Sequence, residues 1–245
     1  MNEELARHHL SLIQGQRPAV HCLTNTVVQS LTANMLLAIG AIPSMSSDIT
    51  EVADFTARSQ ALLINLGTLD PGRKDAIQAA ITSAKNNNIP WILDPVLIDR
   101  APARLAYAQE LIGQAPAIIR GNAGEIAALG SDPKSLAQSS QSIVAVTGAI
   151  DFVTDGHRES ELRVGHDLMS RVTGIGCAGT AAIAAFCAVV TDADYFDAVV
   201  SGLYILGKSG ENAARKAPGP GAFAATILDE VYFTSQSSST EGSPK

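Results

Sequence analysis

Short apolar runs alternate with longer stretches of helical periodicity along most of this chain. The runs ALLINLG (61–67), IPWILDPV (89–96) and SIVAVTG (142–148) lack polar alternation, which is typical of strands buried on both faces. Between such runs, stretches like TVVQSLTANMLLAIG (26–40) predict helices of the kind that connect parallel strands. The pattern predicts an α/β fold with three α/β/α layers and a mostly parallel central sheet.

The pattern changes after Gly148. The segment IDFVTDGHRESELRVG (150–165) predicts a hairpin with Asp155 and Gly156 in its turn, and three helices are expected to begin near Gly176, Asp194 and Gly221. No linker or internal repeat interrupts residues 1–233, so we predict a single domain there. Residues 234–245 are rich in serine and poor in apolar residues, which predicts a disordered tail.

Composition narrows the class of partner. The 245 residues carry a net charge of -7 with a pI near 5.2, which argues against a nucleic-acid surface and favours small-molecule partners. The three cysteines are widely spaced, which predicts neither disulfides nor a zinc site. No apolar run approaches the roughly 18 residues of a membrane span, and no signal peptide is recognisable. We therefore expect a cytoplasmic protein without membrane contact.

Polar residues follow several of the predicted strands. Ligands of parallel α/β sheets bind beyond the carboxyl ends of the strands, so these residues are expected to gather at one edge of the sheet. The candidates are Asn25, Met45, 65–67, Asp94, 120–125 and 147–148.

The segment RVTGIGCAGT (171–180) predicts a glycine loop that enters a helix. Gly174 and Gly176 allow backbone N–H groups to approach an anion at a helix N-terminus. A cysteine at that terminus, Cys177, is expected to have a lowered thiol pKa and to take a proton from an alcohol. The alternatives are a glycine loop that only permits close packing and a buried structural cysteine.

Asp94 and Glu125 are candidate magnesium ligands. Asp94 ends the strand ILDPV, and carboxylates together with phosphate and water suit Mg²⁺. Asp94 also fits a helix cap or turn, and Asn122 with Glu125 fits an N-terminal cap. Arg120 is expected either to bind phosphate or to pair with Asp94 or Glu125.

In order along the chain, these stretches resemble the hydroxyethylthiazole kinase family of the ribokinase-like superfamily. The resemblance covers nearly the whole chain outside the tail and the connection 130–142. It is carried by HCLTN (21–25), ANMLLAIGAIPSMS (33–46), LLINLGTL (62–69), ILDPV (92–96), IIRGNAGEIAAL (118–129), VAVTGAIDFVTDG (144–156), RVTGIGC (171–177) and GPGAF (219–223).

The resemblance implies transfer of the ATP γ-phosphoryl group to the hydroxyl of 4-methyl-5-(2-hydroxyethyl)thiazole, with Mg²⁺, in thiamin salvage. It also implies a homotrimer with active sites at subunit interfaces. By the match, Cys177 occupies the position of the superfamily's catalytic aspartate. The other implied positions are Met45, Gly174 and Asn25 for the thiazole, Arg120 and Thr147 for ATP, Gly174, Gly176 and Cys177 for the anion hole, and Asp94 and Glu125 for the metal.

The chain departs from the family pattern at two places. Ile175 stands where the family usually has threonine, and the connection GSDPKSLAQSSQS (130–142) is shorter than usual by about a helix and its loop. The second departure leaves open a protein that binds the thiazole without using ATP. A kinase for another small alcohol, such as hydroxymethylpyrimidine, and a nucleotide-dependent hydrate dehydratase are further alternatives, which Cys177 disfavours. A structural scaffold is disfavoured by the polar residues at the strand ends.

Overall fold

The predicted layers are present in the computed structural model, which describes residues 3–130 and 132–237. A central eight-stranded sheet has the order β2-β1-β3-β4-β5-β6-β7-β8. Its strands are β1 (Ala19–Leu23), β2 (Ile42–Ser44), β3 (Ala61–Asn65), β4 (Trp91–Asp94), β5 (Ile118–Asn122), β6 (Ile143–Thr147), β7 (Asp151–Thr154) and β8 (Glu159–Leu162). The strands from β2 to β6 pair in parallel, and β7 and β8 add an antiparallel hairpin. The predicted fold class and hairpin are confirmed.

Ten α-helices of the described residues cover the two faces of the sheet. They are α1 (Glu3–Gln16), α2 (Gln29–Ile39), α3 (Val52–Ala57), α4 (Pro71–Asn86), α5 (Pro102–Ile112), α6 (Ala123–Ala128), α7 (Pro133–Ser140), α8 (Ile175–Cys187), α9 (Tyr195–Lys216) and α10 (Pro220–Ser237). Because side chains alternate along a strand, Leu63 and Ile92 pack against α1, α2, α8 and α9, whereas Leu62 and Leu93 pack towards α3 to α7. Unbroken apolar runs are needed for strands buried in this way.

Helix α8 lies innermost on its side of the sheet. It contacts β1, β3 and β4 on one side and α2 and α9 on the other. From Ala178 to Cys187 every residue is buried, and half of these residues are alanine, so the helix can lie close to the sheet. The N-terminus of α8 is thereby fixed beside the carboxyl ends of the central strands.

The predicted start of the tail at residue 234 is wrong. Helix α10 continues to Ser237, because Ser235 is fully buried and its hydroxyl donates a hydrogen bond to the Ala38 carbonyl at 3.2 Å. Residues 238–245, the rest of that predicted tail, lie outside the described residues. No helix within the described ranges is long and apolar enough to cross a membrane.

The sheet has a switch in strand order beside β1. From β1 the chain crosses first to β2 on one side, and β3 then pairs with β1 on the other side. Such a switch opens a crevice at the carboxyl ends of the strands, where ligands bind in open α/β sheets. Register places Asn65 beside Asp94 and Asn122 beside Thr147 at this edge.

Candidate active site

A cavity of about 790 Å³ opens at the carboxyl ends of β4, β5 and β6. Residues singled out in the sequence that line it include Asp94, Arg120, Asn122, Glu125, Thr147, Gly148, Gly174, Ile175, Gly176 and Cys177. Asn25 and Met45 lie outside this lining. Asn25 reaches Cys177 from β1, whereas Met45 follows β2 and packs, half-buried, against the core on the α8 side of the sheet.

The N-terminus of α8 meets the cavity through two glycines. Gly174 caps the helix with a φ of +86°, in the left-handed region that favours glycine, and a Cβ there would lie 2.6 Å from Val28 Cγ1. A Cβ on Gly176 would lie 3.1 Å from Nη1 of Arg120. Gly174 lets the loop pack closely against Val28, and Gly176 lets the Arg120 guanidinium approach the helix N-terminus. The loop thus fits both alternatives, a glycine loop for close packing and an anion-binding loop.

The first turn of α8 has unused hydrogen-bond donors. No side chain caps the helix, and Ala178 is the first residue whose N–H bonds within it, to the Gly174 carbonyl at 2.8 Å. Among the described residues, no group accepts from the N–H of Gly176 or Cys177. Open amides at a helix N-terminus beside an arginine suit an anionic phosphate.

Arg120 points its charge at this turn without a carboxylate partner. Its Nε is buried and unpartnered, and none of the ion pairs among the described residues joins it to Asp94 or Glu125. Of the two alternatives for Arg120, the structure therefore lacks the ion pair, and the phosphate contact stays a prediction. Thr147, on the neighbouring strand β6, bonds its hydroxyl to the Gly121 carbonyl at 3.4 Å. A partly buried guanidinium whose buried Nε has no partner is available for an anionic ligand.

Asp94 is the buried acid of the cavity. Its Oδ2 accepts hydrogen bonds from Asn65 Nδ2 at 2.7 Å and from Thr180 Oγ1 at 3.1 Å, while its Oδ1 is buried without a partner. Burial raises the pKa of Asp94 to about 6, the Arg120 cation opposes the rise, and Glu125 adds to it. A buried carboxylate with one unpartnered oxygen fits a cation in the cavity.

Glu125 completes the helix cap that the sequence suggested. The Asn122 side chain accepts from the Glu125 N–H, and Glu125 Oε2 accepts from the Asn122 N–H at 2.8 Å, which is a capping box. Its Oε1 accepts from the Leu97 N–H at 2.8 Å. Both oxygens are thus engaged, and Glu125 fits direct metal binding less well than Asp94. No group of three or more His, Cys, Asp and Glu side chains in 3–130 and 132–237 forms a metal cluster.

Cys177 is half-buried at the wall of the cavity, and its expected low pKa is wrong. Burial raises the pKa of the thiol to about 11, and the Asp94 carboxylate adds to the rise. Hydrogen bonds from Asn65 and Asn25 and the Arg120 charge oppose it without reversing it. The helix terminus alone suggested a thiolate, but desolvation outweighs that effect here.

Thr180 is a residue of this site that the sequence pattern did not single out, and Asn65 was expected only as one of the residues at the carboxyl edge of the sheet. Thr180 lies three residues beyond Cys177 on α8, so the spacing places both on one side of the helix. The three-residue spacing is visible in the sequence and could have placed Thr180 beside Cys177. Its hydrogen bond to Asp94 could not be predicted, because Asp94 is 86 positions away. Further residues at the cavity mouth come from the segment after β8, namely Arg163, His166, Asp167, Met169 and Ser170.

The connection from Gly130 to Ser142 contains one short helix, α7. Its Asp132 caps the helix by accepting from the Lys134 and Ser135 N–H groups. Leu136 and Ala137 pack against the core on the face of the sheet that α3 to α7 cover. None of the described residues of this connection lines the cavity at the strand ends.

The sequence model described as the hydroxyethylthiazole kinase family matches this chain at residues 10–132 and 131–236. The chain belongs to this family. The junction of the two matches falls inside the connection 130–142. A hydroxyethylthiazole kinase of Serratia proteamaculans (strain 568) is 44% identical over 242 residues, with 91% of each chain covered.

Solved structures agree with this membership. The hydroxyethylthiazole kinase protein of Pyrococcus horikoshii OT3 superposes with a TM-score of 0.90 at 34% identity, covering 94% of this chain and 93% of that one. A ribokinase-like superfamily protein of Enterococcus faecalis V583 has a TM-score of 0.67 at 11% identity, with 96% of each chain covered. The second likeness shows the fold, and the predicted ribokinase-like architecture is confirmed.

Proposed function

We propose that this chain transfers the γ-phosphoryl group of ATP to the hydroxyl of 4-methyl-5-(2-hydroxyethyl)thiazole, a step of thiamin salvage. The observation that carries the proposal is the open amide turn of α8, which includes Cys177 and lies beside Arg120 at the cavity of a hydroxyethylthiazole kinase family member. Phosphoryl transfer depends mainly on positioning and charge neutralisation. Amides, a guanidinium and a buried carboxylate supply both.

The binding roles follow the placement of the residues. Arg120 and Thr147, on neighbouring strands, contact the ATP phosphates, and the N–H groups of Gly176 and Cys177 bind the transferred phosphoryl group. Gly174, Asn25 and Met45 form the thiazole side. Asn25 supports this because its amide is 3.7 Å from Cys177 Sγ.

Magnesium is the cation that the carboxylates fit. Asp94, whose Oδ1 has no hydrogen-bond partner, would hold it, and Glu125, whose oxygens accept two backbone N–H groups, would add negative charge nearby. When bound with ATP, the ion supplies positive charge that neutralises the phosphates.

Cys177 acts on the alcohol mainly by orienting it. With a pKa of about 11, its side chain is a thiol at neutral pH, so almost no thiolate is present to accept the hydroxyl proton. The alcohol oxygen forms the new bond to the γ-phosphorus, the bond from that phosphorus to the β–γ bridging oxygen breaks to leave ADP, and the hydroxyl proton passes to the solvent. Replacement by alanine therefore lowers kcat without abolishing turnover, and an unchanged kcat in Cys177→Ala would remove the role.

The test is mass analysis of products from the purified chain with Mg-ATP and hydroxyethylthiazole, hydroxymethylpyrimidine or pyridoxal. Phosphorylation confined to the thiazole is expected, because the chain belongs to the kinase family whose named relatives act on it. Retention of the thiazole without any phosphorylated product would contradict the proposal and favour a protein that only binds it. Phosphorylation of the pyrimidine instead would favour the other small-alcohol kinase.

A homotrimer is part of the same proposal. Strand β2 is the parallel edge of the sheet, and exposed apolar side chains occur on it and beside it, including Ile42, Leu37 on α2 and Ile49. Open apolar sheet edges are usually covered in stable proteins. Light scattering is expected to give three times the chain mass, and Ile42→Glu is expected to reduce it. A monomeric wild-type chain would contradict the assembly.

A further inference from the structure

Four side chains form a continuous hydrogen-bonded line beneath the cavity. Asn25 Nδ2 donates to Asn65 Oδ1 at 3.1 Å and to Cys177 Sγ at 3.7 Å. Asn65 Nδ2 donates to Asp94 Oδ2 at 2.7 Å. Asn65 is fully buried at the end of β3 and lies between the two chemically distinct ends of this line, the thiol and the carboxylate.

One backbone group fixes the direction of every bond in the line. The Gly67 N–H can only donate, and it bonds to Asn65 Oδ1 at 3.0 Å, so that atom is the amide oxygen. Asn65 Nδ2 must then face Asp94. Since Asn65 Oδ1 is an acceptor, Asn25 must present its own NH₂ group to it, and the same NH₂ group faces Cys177.

The surrounding structure holds this arrangement in place. A Cβ on Gly67 would lie 2.6 Å from the Asn25 Cβ, so only glycine lets the two strand ends approach this closely. The buried guanidinium of Arg73 donates to the carbonyl of Thr24 at 2.8 Å and to the carbonyl of Asn65 at 3.2 Å. Arg73 thus joins the chain just before Asn25 to the end of β3.

We propose that Asn65 is a positioning residue of the phosphoryl-transfer site, which sets two things at once. It turns Asp94 so that Oδ2 is the bonded oxygen and the buried Oδ1 is left without a hydrogen-bond partner, and it turns the Asn25 amide so that N–H, and not C=O, faces the Cys177 sulfur. The inference rests on the proposed function for its meaning in catalysis, whereas its effect on Cys177 is independent of it.

The test replaces Asn65 with leucine, which keeps the shape and removes both hydrogen-bonding groups. We expect kcat for the thiazole to fall at least about 10-fold, the factor of one lost hydrogen bond to a charged group, and KM for Mg-ATP to rise. We also expect iodoacetamide to alkylate Cys177 more slowly at pH 9 in ATP-free protein, because the Asn65 amide is lost and the Asn25 N–H is no longer held towards the thiolate. Cys22 and Cys187 are buried and do not compete with Cys177 for iodoacetamide.

The sign of the alkylation change separates positioning from a merely structural role. If Asn65 only holds the strands together, its loss opens the site and Cys177 reacts faster or at the same rate, which would overturn the proposal. Ser83→Ala is the matched control, because it removes a buried hydrogen bond, to the Ala53 carbonyl at 2.7 Å, on the opposite face of the sheet. It is expected to leave both kcat and alkylation unchanged.

Two further variants test the two ends of the hydrogen-bonded line, Cys177 and Asp94, separately. Gly67→Ala displaces Asn25 and is expected to slow alkylation, and this variant decides the question if Asn65→Leu does not fold. Thr180→Val removes the other donor to Asp94 and is expected to raise KM for Mg-ATP while alkylation stays unchanged. Unchanged alkylation in Gly67→Ala would overturn the proposal. A wild-type chain without kinase activity would refute the proposed function, but the alkylation comparison would still decide the role of Asn65.

Discussion

Replacing Gly174 with alanine tests how the α8 turn is built. The residue has a φ of +86°, and left-handed backbone costs a residue with a side chain about 1–2 kcal/mol. The added Cβ would also lie 2.6 Å from Val28 Cγ1, and overpacking of this kind costs about 1–3 kcal/mol. The free energy of unfolding is therefore expected to fall by about 2–5 kcal/mol in Gly174→Ala.

A second substitution, Val28→Ala, separates the backbone cost of Gly174→Ala from its overpacking cost. Val28→Ala alone costs about 1.6 kcal/mol from two lost carbon groups, plus a cavity term. In the double variant the Cβ added at position 174 loses its closest contact, at 2.6 Å, and keeps those to the Cβ of residue 28 at 3.1 Å and to Leu31 Cδ2 at 3.3 Å. Most of the overpacking is therefore relieved, and the backbone cost remains. We expect a coupling of about 1–3 kcal/mol in the stabilising direction.

Urea unfolding of the four proteins measures this cycle, with an unchanged m-value as the sign that only stability has changed. The same proteins are assayed for KM of Mg-ATP, which is expected to rise in Gly174→Ala because the Gly176 and Cys177 amides move. Additive effects within about 0.5 kcal/mol would refute the steric reasoning. A fully stable Gly174→Ala would refute the left-handed cap as well.

Three further predictions concern charge in the cavity. The alkylation rate of Cys177 should rise with pH without a plateau below about pH 10, since its pKa is raised from 9.0 to about 11, and a plateau near pH 8 would contradict the buried thiol. Arg120→Met should raise KM for Mg-ATP about 10- to 100-fold, whereas the exposed control Arg58→Met should not, and equal effects would argue against a phosphate contact. The pKa of Asp94 in the folded protein, about 6, exceeds its ordinary value of 3.8, so the carboxyl lowers the free energy of unfolding as pH rises through this interval. At pH 7.5 the free energy of unfolding of Asp94→Asn should therefore be up to about 3 kcal/mol higher than that of the wild type, while kinase activity is lost. A destabilised variant would contradict the unpartnered Oδ1.

Local sequence determined the layers and the edge at which the site lies. Apolar runs without alternation predict buried parallel strands, and the polar residue that ends such a run must lie at the carboxyl edge, as Asp94 and Arg120 do. Asn122 and Glu125 form their predicted cap because a capping box involves residues only three positions apart. The end of α10 was placed too early because the burial of Ser235 depends on α2, far away in sequence.

Tertiary structure decided the chemistry of the individual groups. A cysteine at a helix N-terminus suggests a low pKa, but the depth of α8 against the sheet removes water from Cys177 and reverses the direction. Asn65 gained a role only because β3 brings it between Asn25 and Asp94, 40 and 29 positions away. Short-range patterns fix secondary structure through local hydrogen bonds and side-chain periodicity, whereas desolvation and long-range hydrogen bonds exist only once the strands and α8 have packed together.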